Sequence, residues 1–527
     1  MFPSQRPVFL FLLLLGIATA RAGDFDIIGG TLLRQVVPTL AGSNVPVAQP
    51  EGYDSGVAGA FEVAPFVVGQ PTSLFTWISS NGVANTYPNS VGSISAHADS
   101  VAANFYGNGA TGVAPGVSHV DNYDADYFFN QIIANATPIS ARVVNQSFIF
   151  ANGDSSHLST NEEQSIDSSY DDFAIQYGTL FISGAGNGGT VYPAATCYNG
   201  IGVGVYPGSS SVGPTTDGRS KPDLVSPGSG ATSFSTPFVS GSATVLIQGA
   251  LRGDGGADTN SASDNRTIKA LLLNGAVKPA DWTNGITTPL DARYGAGVLN
   301  VFNSWNQLRG GKHPFIEATT VANGSAHPPG GNTSNEPTLS GWDLNSLSTP
   351  TPLQDSINHY YFNLSGSNTF TLTATLTWLR PHSSILGPSG INDLNLFLYN
   401  AANGQLVRSS ASAVDNVEHI YIPALSPGRY DLQVLKNAQS QVSASETYAL
   451  AFESFNLPLS VVQSNTNLVI SWPLAPAGFN LQSTTNLSSP AVWSTVPSPV
   501  TVDTNANRNI VAVPETGGSQ FFRLHRP

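Results

Sequence analysis

Residues 228–241 read GSGATSFSTPFVSG. Two glycines lead to Ser233, Pro237 follows four positions later, and the chain then turns apolar. A helix starting at or just after Ser233 would set the Ser233 N–H at a positive helix end, a geometry that suits an oxyanion. A hydroxyl is a weak nucleophile at neutral pH. It needs a base within hydrogen-bond reach, a third group to orient that base, and donors for the oxyanion. The rest of the chain must supply a histidine, a carboxylate and such a donor.

The chain has 527 residues, room for two to four domains at ~150 residues each. Hydrophobic residues make up 41%, enough to bury a core, while charged residues are 10%, far below the usual ~25%. With 52 glycines and 36 prolines, the mix fits a secreted protein rich in β-structure. The net charge of −14 offers no basic patch for phosphates, which excludes nucleic acid as a partner. The N-terminus, MFPSQRPVFLFLLLLGIATARA, has a basic start at Arg6, an apolar run over 8–18 and an A-x-A end at Ala20–Ala22. It reads as a secretory signal peptide, residues 1–22, cut before Gly23. The apolar run is shorter than the ~20 residues a membrane span needs. No integral membrane segment is expected after its removal, and the localisation expected is extracellular or cell-surface. Cys197 is the single cysteine, so no internal disulfide can form, and it reads as a small buried hydrophobe.

Between 44 and 310, β-like runs alternate with helical ones. ARVVNQSF (141–148), GTLFISGAGN (178–187) and GIGVGVY (200–206) read as buried strands. NEEQSIDSSYDDFAIQY (161–177), TPFVSGSATVLIQGAL (236–251) and TIKALLLNGA (267–276) read as helices. The alternation predicts an α/β domain with a mostly parallel sheet, whose chemistry sits beyond the carboxyl ends of the strands. Residues 311–355 read as irregular linker. Residues 356–455 carry only strand-like runs and predict a jelly-roll or sandwich domain, and 456–527 a second small β-domain.

Nine histidines are available. Six, His313, His327, His359, His382, His419 and His525, lie outside the α/β region. His119 falls inside a strand and His157 in a polar loop. His97 stands at the start of a helical stretch, AHADSVAANF, before a glycine-rich loop.

Taken together these segments resemble the subtilisin-like serine peptidases, the subtilase family. GATSFSTPFVSG is similar to the family's nucleophile box: Thr232, Ser233, Pro237, Val239 and Gly241 match, while Ala231 and Ser235 depart from it. DGRSKPDLVSPG (217–228) resembles the lead-in to that box. AHADSVAANFYGNGATGVAPGVSHV (96–120) resembles the histidine box, with His97 in the position of the base and Ala98, Asp99 and Ser100 departing from the usual Gly-Thr-His. GAGNGG (184–189) resembles the strand end that carries the oxyanion asparagine, which implies that role for Asn187. RVVNQSF (142–148) resembles the substrate-binding strand, with Ile149 where a glycine is usual. The resemblance spans about 40–305 in the family's order.

The acid is the departure with most consequence. The family has an aspartate after its first strand, before Ser/Thr-Gly. Here the segment is GSNVPVAQPEGYDSGVAGAFEVAP (42–65), and two carboxylates compete. Asp54 heads DSG and copies the local motif. For it to serve, a buried parallel strand would have to run through Pro50, Glu51 and Gly52, which strand chemistry disfavours. With the strand anchored on Val45 and Val47, Glu51 falls where the acid belongs. Glu51 lies 46 residues before His97 and Asp54 lies 43 before it, and spacing does not choose. Glu51 is the preferred acid, Asp54 the alternative, and Glu62 a remote third.

The resemblance implies a subtilisin-like three-layer domain over 23–310, followed by the two all-β domains. It implies a serine endopeptidase working on protein or peptide substrates as a monomer, with Glu51, His97 and Ser233 as the triad and Asn187 at the oxyanion. It further implies that Ser147, Gly184, Ala185 and Gly186 pair with substrate. The changed acid and histidine box raise the alternative of an inactive relative serving as a binding or surface module. The lead-in at 23–43 is too short for the large pro-domain many members carry. Calcium is common in the family, and DNYDAD (121–126) and IND (391–393) are acidic, but no spaced ligand loop is present. No cofactor or metal site is therefore assigned.

Overall fold

The computed structural model describes residues 22–54, 57–330, 339–381, 384, 387–488 and 490–525. The expected signal peptide lies outside the described residues, except for Ala22, as do His382 and the Ser55-Gly56 of the DSG motif.

Ten strands build the first domain: β1 (Pro46–Ala48), β2 (Ala60–Glu62), β3 (Phe75–Ile78), β4 (Ala84–Asn85), β5 (Ser93–Ile94), β6 (His119–Tyr123), β7 (Val143–Gln146), β8 (Leu180–Gly184), β9 (Ile201–Val205) and β10 (Leu224–Ser226). Eight of them form one sheet in the order β10-β9-β8-β7-β1-β6-β3-β4. Every pairing in it is parallel except β3 with β4. Strand side chains alternate faces, and the sheet uses this to make three layers. Val47, Val143 and Ile182 enter one core with the helices Ala96–Phe105, Thr232–Leu251 and Asn265–Asn274. Their neighbours Ala48, Val144 and Phe181 enter a second core with Ile166, Tyr170 and Phe173 of the helix Thr160–Tyr177. The lead-in folds as two short helices, Ala22–Ile27 and Gly30–Val36, whose neighbourhood places Phe25, Ile28 and Leu33 in the first core.

The chain crosses over β1 in passing from β6 to β7, so strand order reverses around β1. In open α/β sheets that is where a site opens, beyond the carboxyl ends. Three segments leave the sheet there: 49–54 after β1, 147–151 after β7 and 185–189 after β8.

Residues 311–355, expected to be linker, supply two strands of the following sandwich: β11 (Glu317–Ala322) and β12 (Ser340–Ser348). The glycine, serine and asparagine of β12 hide it, because a strand paired along one face can carry small polar residues. β12 pairs with residues 445–453 through nine positions, and Trp342 on it is fully buried. The remaining strands are β13 (Gln354–Leu364), β14 (Phe370–Trp378), β15 (Leu394–Asn400), β16 (Leu406–Ser410), β17 (Val417–Leu425), β18 (Gly428–Lys436) and β19 (Ser445–Phe455). They make two antiparallel sheets, β11-β13-β18-β15-β16 and β12-β19-β14-β17, which close on a core including Tyr360, Leu376, Leu396 and Leu432. The second sheet also packs on the first domain: Trp342, Val417, Ala449 and Ala451 share its core. Strands within 460–488 and 490–525 form two smaller antiparallel sheets around Ile470, Trp472 and Val511.

Candidate active site

Glu51 sits just past β1, where ladder bonds continue. Gln49 N–H donates to Asp121 O at 2.9 Å and Glu51 N–H to Tyr123 O at 2.9 Å. The extended strand therefore does run through Pro50. It can, because alternate N–H groups face β6, and Pro50 falls on the opposite side, where pairing with β7 stops at Ala48. The Glu51 side chain is fully buried, and its Oε2 lies 2.9 Å from His97 Nδ1. Asp54 lies further along the loop, its N–H donating to Ala60 O and its carbonyl accepting from Val57 N–H.

His97 is the second residue of the helix Ala96–Phe105, capped by Ser95, whose hydroxyl accepts from Ala98 N–H at 3.1 Å. One tenth of its side chain is exposed, and its ring lies 5.8 Å from that of Phe234.

Ser233 is the second residue of the helix Thr232–Leu251, which begins four residues before the 236–251 run read as helical from the sequence. Ala231 at the N-cap gives the first turn no side-chain bond. Pro237 has no N–H, so the Ser233 carbonyl four residues earlier loses its helical donor. Ser147 replaces it: Ser147 Oγ donates to Ser233 O at 2.9 Å, and is itself held by Asn145 Nδ2 at 3.0 Å. The Ser233 hydroxyl donates to Ser147 O at 3.3 Å, long for an O–H···O bond and correspondingly weak. Before the helix, Gly228 must be glycine: a Cβ there would stand 2.1 Å from Ser235 Oγ and 2.4 Å from Ser235 N.

Asn187 is exposed after β8. Its Oδ1 accepts from Thr232 N–H at 2.9 Å and Thr232 Oγ at 3.1 Å. Two donors on Oδ1 fix the amide, so its Nδ2 hydrogens are directed away from Thr232. The turn that delivers it needs Gly186, at φ +106°, where a Cβ would meet Ser211 Oγ at 2.6 Å and the Tyr192 ring at 2.7 Å.

His97, Ser147, Gly184, Gly186, Asn187 and Ser233 all line one cleft of about 410 Å³, within the size range of ligand sites. Phe148, Ile149, Tyr192 and Phe234 add apolar wall, and none of the described lining residues is Asp, Glu, Lys or Arg. Of the four expected substrate-binding residues, Ala185 alone is set apart from the cleft lining: it is fully buried, and its N–H and carbonyl bond Val203 and Tyr192. Ser147 is nearly buried as well and spends its hydroxyl on Ser233 O.

Residues 54–297 match the subtilase family, Peptidase S8. This region is a subtilase domain. The match begins at Asp54, past the strand that bears Glu51, so geometry alone joins Glu51 to His97. No curated protein matches the chain. Among solved structures, the serine protease of Aeromonas sobria in complex with its chaperone is similar at 12% identity, covering 92% of this chain and 87% of its own, with a TM-score of 0.37. The serine protease MycP1 of the type VII (ESX-1) secretion system is similar at 16% identity over 57% of this chain and 93% of its own, with a TM-score of 0.37.

Cys197, His119 and the acidic run 121–126 of the subtilase domain are engaged elsewhere. Cys197 is buried, and burial pushes its thiol well up. His119 bonds Asp121 and Thr76 on β6 and β3. In the acidic run 121–126, Asp121 bonds His119 and Asp124 caps Tyr127 N–H. Among the described residues no group of three or more His, Cys, Asp or Glu could hold a metal ion, and no helix is long and apolar enough to cross a membrane.

Sequence reasoning missed Gln49, Thr232 as the clamp on Asn187, and Ser147 as the partner of the Ser233 carbonyl. Each had a signal. Gln49 is a polar residue in a strand due to be buried, and Pro237 announces a carbonyl without a helical donor.

Proposed function

We propose that this protein is an extracellular serine endopeptidase, which hydrolyses peptide bonds of protein or peptide substrates through an acyl-enzyme. One observation carries the reading: Glu51 holds His97 at Nδ1 on the wall of a cleft that Ser233 and Asn187 share. Ser233 Oγ attacks the substrate carbonyl while His97 takes its proton at Nε2. Little is lost when the hydroxyl turns to that base, because its 3.3 Å bond to Ser147 O is weak. Glu51 accepts from Nδ1–H, fixes the tautomer and stabilises the imidazolium. The Asn187 amide and the Ser233 N–H, at the uncapped helix end, receive the oxyanion. His97 then gives its proton to the leaving amine, and water hydrolyses the acyl-enzyme by the reverse sequence. Segments after β7 and β8 flank the cleft where an extended substrate would pair. Its uncharged walls favour an apolar side chain on the acyl side of the scissile bond. The apolar N-terminal segment supports secretion.

The test is covalent labelling with a fluorophosphonate, together with casein hydrolysis. Wild type is expected to label at Ser233, and Ser233→Ala to lose both label and activity. Glu51→Ala is expected to lower kcat by roughly 10⁴-fold, the scale for the acid of subtilisin, while Asp54→Ala stays within a few-fold. Folded wild type that neither labels nor cleaves, like Ser233→Ala, would leave a binding or surface module instead. Loss of activity in Asp54→Ala alone would move the acid to Asp54.

A further inference from the structure

Behind Glu51 stands a buried side chain with no part in the reaction outlined above. Gln49 lies two residues before Glu51, on the same side of the extended strand, and is fully buried. Its Nε2 donates to Glu51 Oε1 at 2.8 Å and to Ala98 O at 3.0 Å, and its Oε1 accepts from the Tyr106 hydroxyl at 2.5 Å. Chemistry fixes this orientation of the amide. Carboxylate and carbonyl oxygens can only accept, so turning the amide over would set its oxygen against two acceptors. Tyr106 is a dependable donor: burial, then the charges of Glu51 and Asp99, push its hydroxyl well above the ordinary tyrosine range.

The arrangement answers a mechanical need. A glutamate has one more rotatable bond than an aspartate, and a single bond to His97 pins only one of its oxygens. Gln49 pins the other. The same nitrogen holds Ala98 O, the residue next to His97, so one amide grips both the acid and the helix that bears the base. The groups facing this pair are His97, Tyr106 and Asp99, whose Oδ1 accepts from Ala64 N–H at 2.7 Å.

We propose that Gln49, oriented by Tyr106, is a positioning residue that holds the Glu51 carboxylate and the His97 helix in catalytic register. The proposal rests on the peptidase reading. It is tested with Gln49→Met, which keeps volume and removes the amide, and with Tyr106→Phe, which keeps the ring. Thermal melts establish folding, and kcat, KM and the pH profile of kcat/KM are measured on a peptide substrate. Gln49→Met is expected to lower kcat roughly 10–100-fold with KM within about threefold, since small misplacements of catalytic groups cost on that scale. The acid limb of the profile should move to higher pH, because a carboxylate that loses a donor becomes more basic and holds the imidazolium proton harder. Tyr106→Phe should change both quantities in the same direction by less. In a Glu51→Gln background, Gln49→Met should cost less than about twofold further, because residues acting through one group are not additive. Unchanged kcat and pH profile in folded Gln49→Met would overturn the proposal, as would a full additional loss in the Glu51→Gln background. Should Gln49→Met not fold, the Tyr106→Phe profile decides alone. A Ser233→Ala variant as active as wild type would instead remove the peptidase reading, and the role of Gln49 with it.

Discussion

Asp99, two residues past His97, is a charge in an expensive place. Burial, opposed by the Ala64 N–H and aided by the nearby Glu51 charge, pushes its carboxyl from the ordinary 3.8 up to about 6. The sign follows from linkage. Above pH 6 the group is ionised in both states and the folded state bears the penalty. As pH falls from 6 towards 3.8, the folded state takes up a proton that the unfolded state does not, and the penalty fades. Asp99→Asn keeps an oxygen for Ala64 and removes the charge. It should therefore raise stability by about 1–2 kcal/mol at pH 8, after allowance for partial solvent screening, and by progressively less below pH 6. Chemical denaturation at pH 8 and pH 4.5 checks this; an equal gain at both would show that the charge is not the cause. The sequence marked Asp99 only as a departure from a motif, since its burial depends on what packs over it.

At the scale of elements, the helix Thr232–Leu251 shows how one residue type dictates a contact elsewhere. Pro237 frees the Ser233 carbonyl, and β7 presents Ser147 to fill the gap. Ser147→Ala would leave that carbonyl without this donor, at a cost of about 1–3 kcal/mol. Because the Ser233 backbone would also be less firmly held, the rate of fluorophosphonate labelling should fall together with the melting temperature. A stable variant with wild-type labelling would show that the bond is dispensable. The segments that bring Ser233 and His97 to one cleft, and the strand–helix alternation, were legible in the sequence because each is a local pattern. Strand β12 was not: its partner β19 lies far along the chain, and its glycine, serines and asparagine carry the signature of turns.

At the scale of the molecule, the subtilase domain and the sandwich are joined through buried polar groups as well as apolar ones. Arg380, just after β14, is fully buried with its Nη1 3.4 Å from Asp171 Oδ2, and its N–H donates to Asn199 Oδ1 at 2.7 Å. Burial, then the neighbouring Asp167, push the Asp171 carboxyl up to about 6 even though Arg380 pulls it down. Thr373 and Thr375 of β14 donate to Asn274 Oδ1 at the end of a subtilase helix. Arg380→Ala would leave Asp171 without this cation and should destabilise the whole chain by roughly 3–5 kcal/mol. The loss should be larger at pH 8 than at pH 5, where Asp171 can take a proton instead. Calorimetry reads both; an unchanged first-domain transition would mean that the two units fold independently. The whole molecule also shows what a histidine–carboxylate pair lacks outside a site. His359 lies between Asp431, at 2.8 Å, and the Thr319 hydroxyl, at 2.8 Å. It is 1% exposed, with no solvent path for a substrate, and serves the sandwich as a polar tie.

Sequence alone determined the identities that motifs carry: Ser233 after its glycines, His97 at a helix start, Asn187 in a glycine turn, and the alternation that makes a parallel sheet. These are set by nearest neighbours along the chain, by turn chemistry and by side-chain period. Tertiary structure decided which carboxylate meets His97. Glu51 and Asp54 are carboxylates three residues apart, and only the ladder to β6, carried past Pro50, points the first at the histidine. It also decided that Gln49, a polar residue in an apolar run, stands against Glu51, because a hydrogen bond between buried side chains depends on the packing of β1, the His97 helix and Tyr106 together.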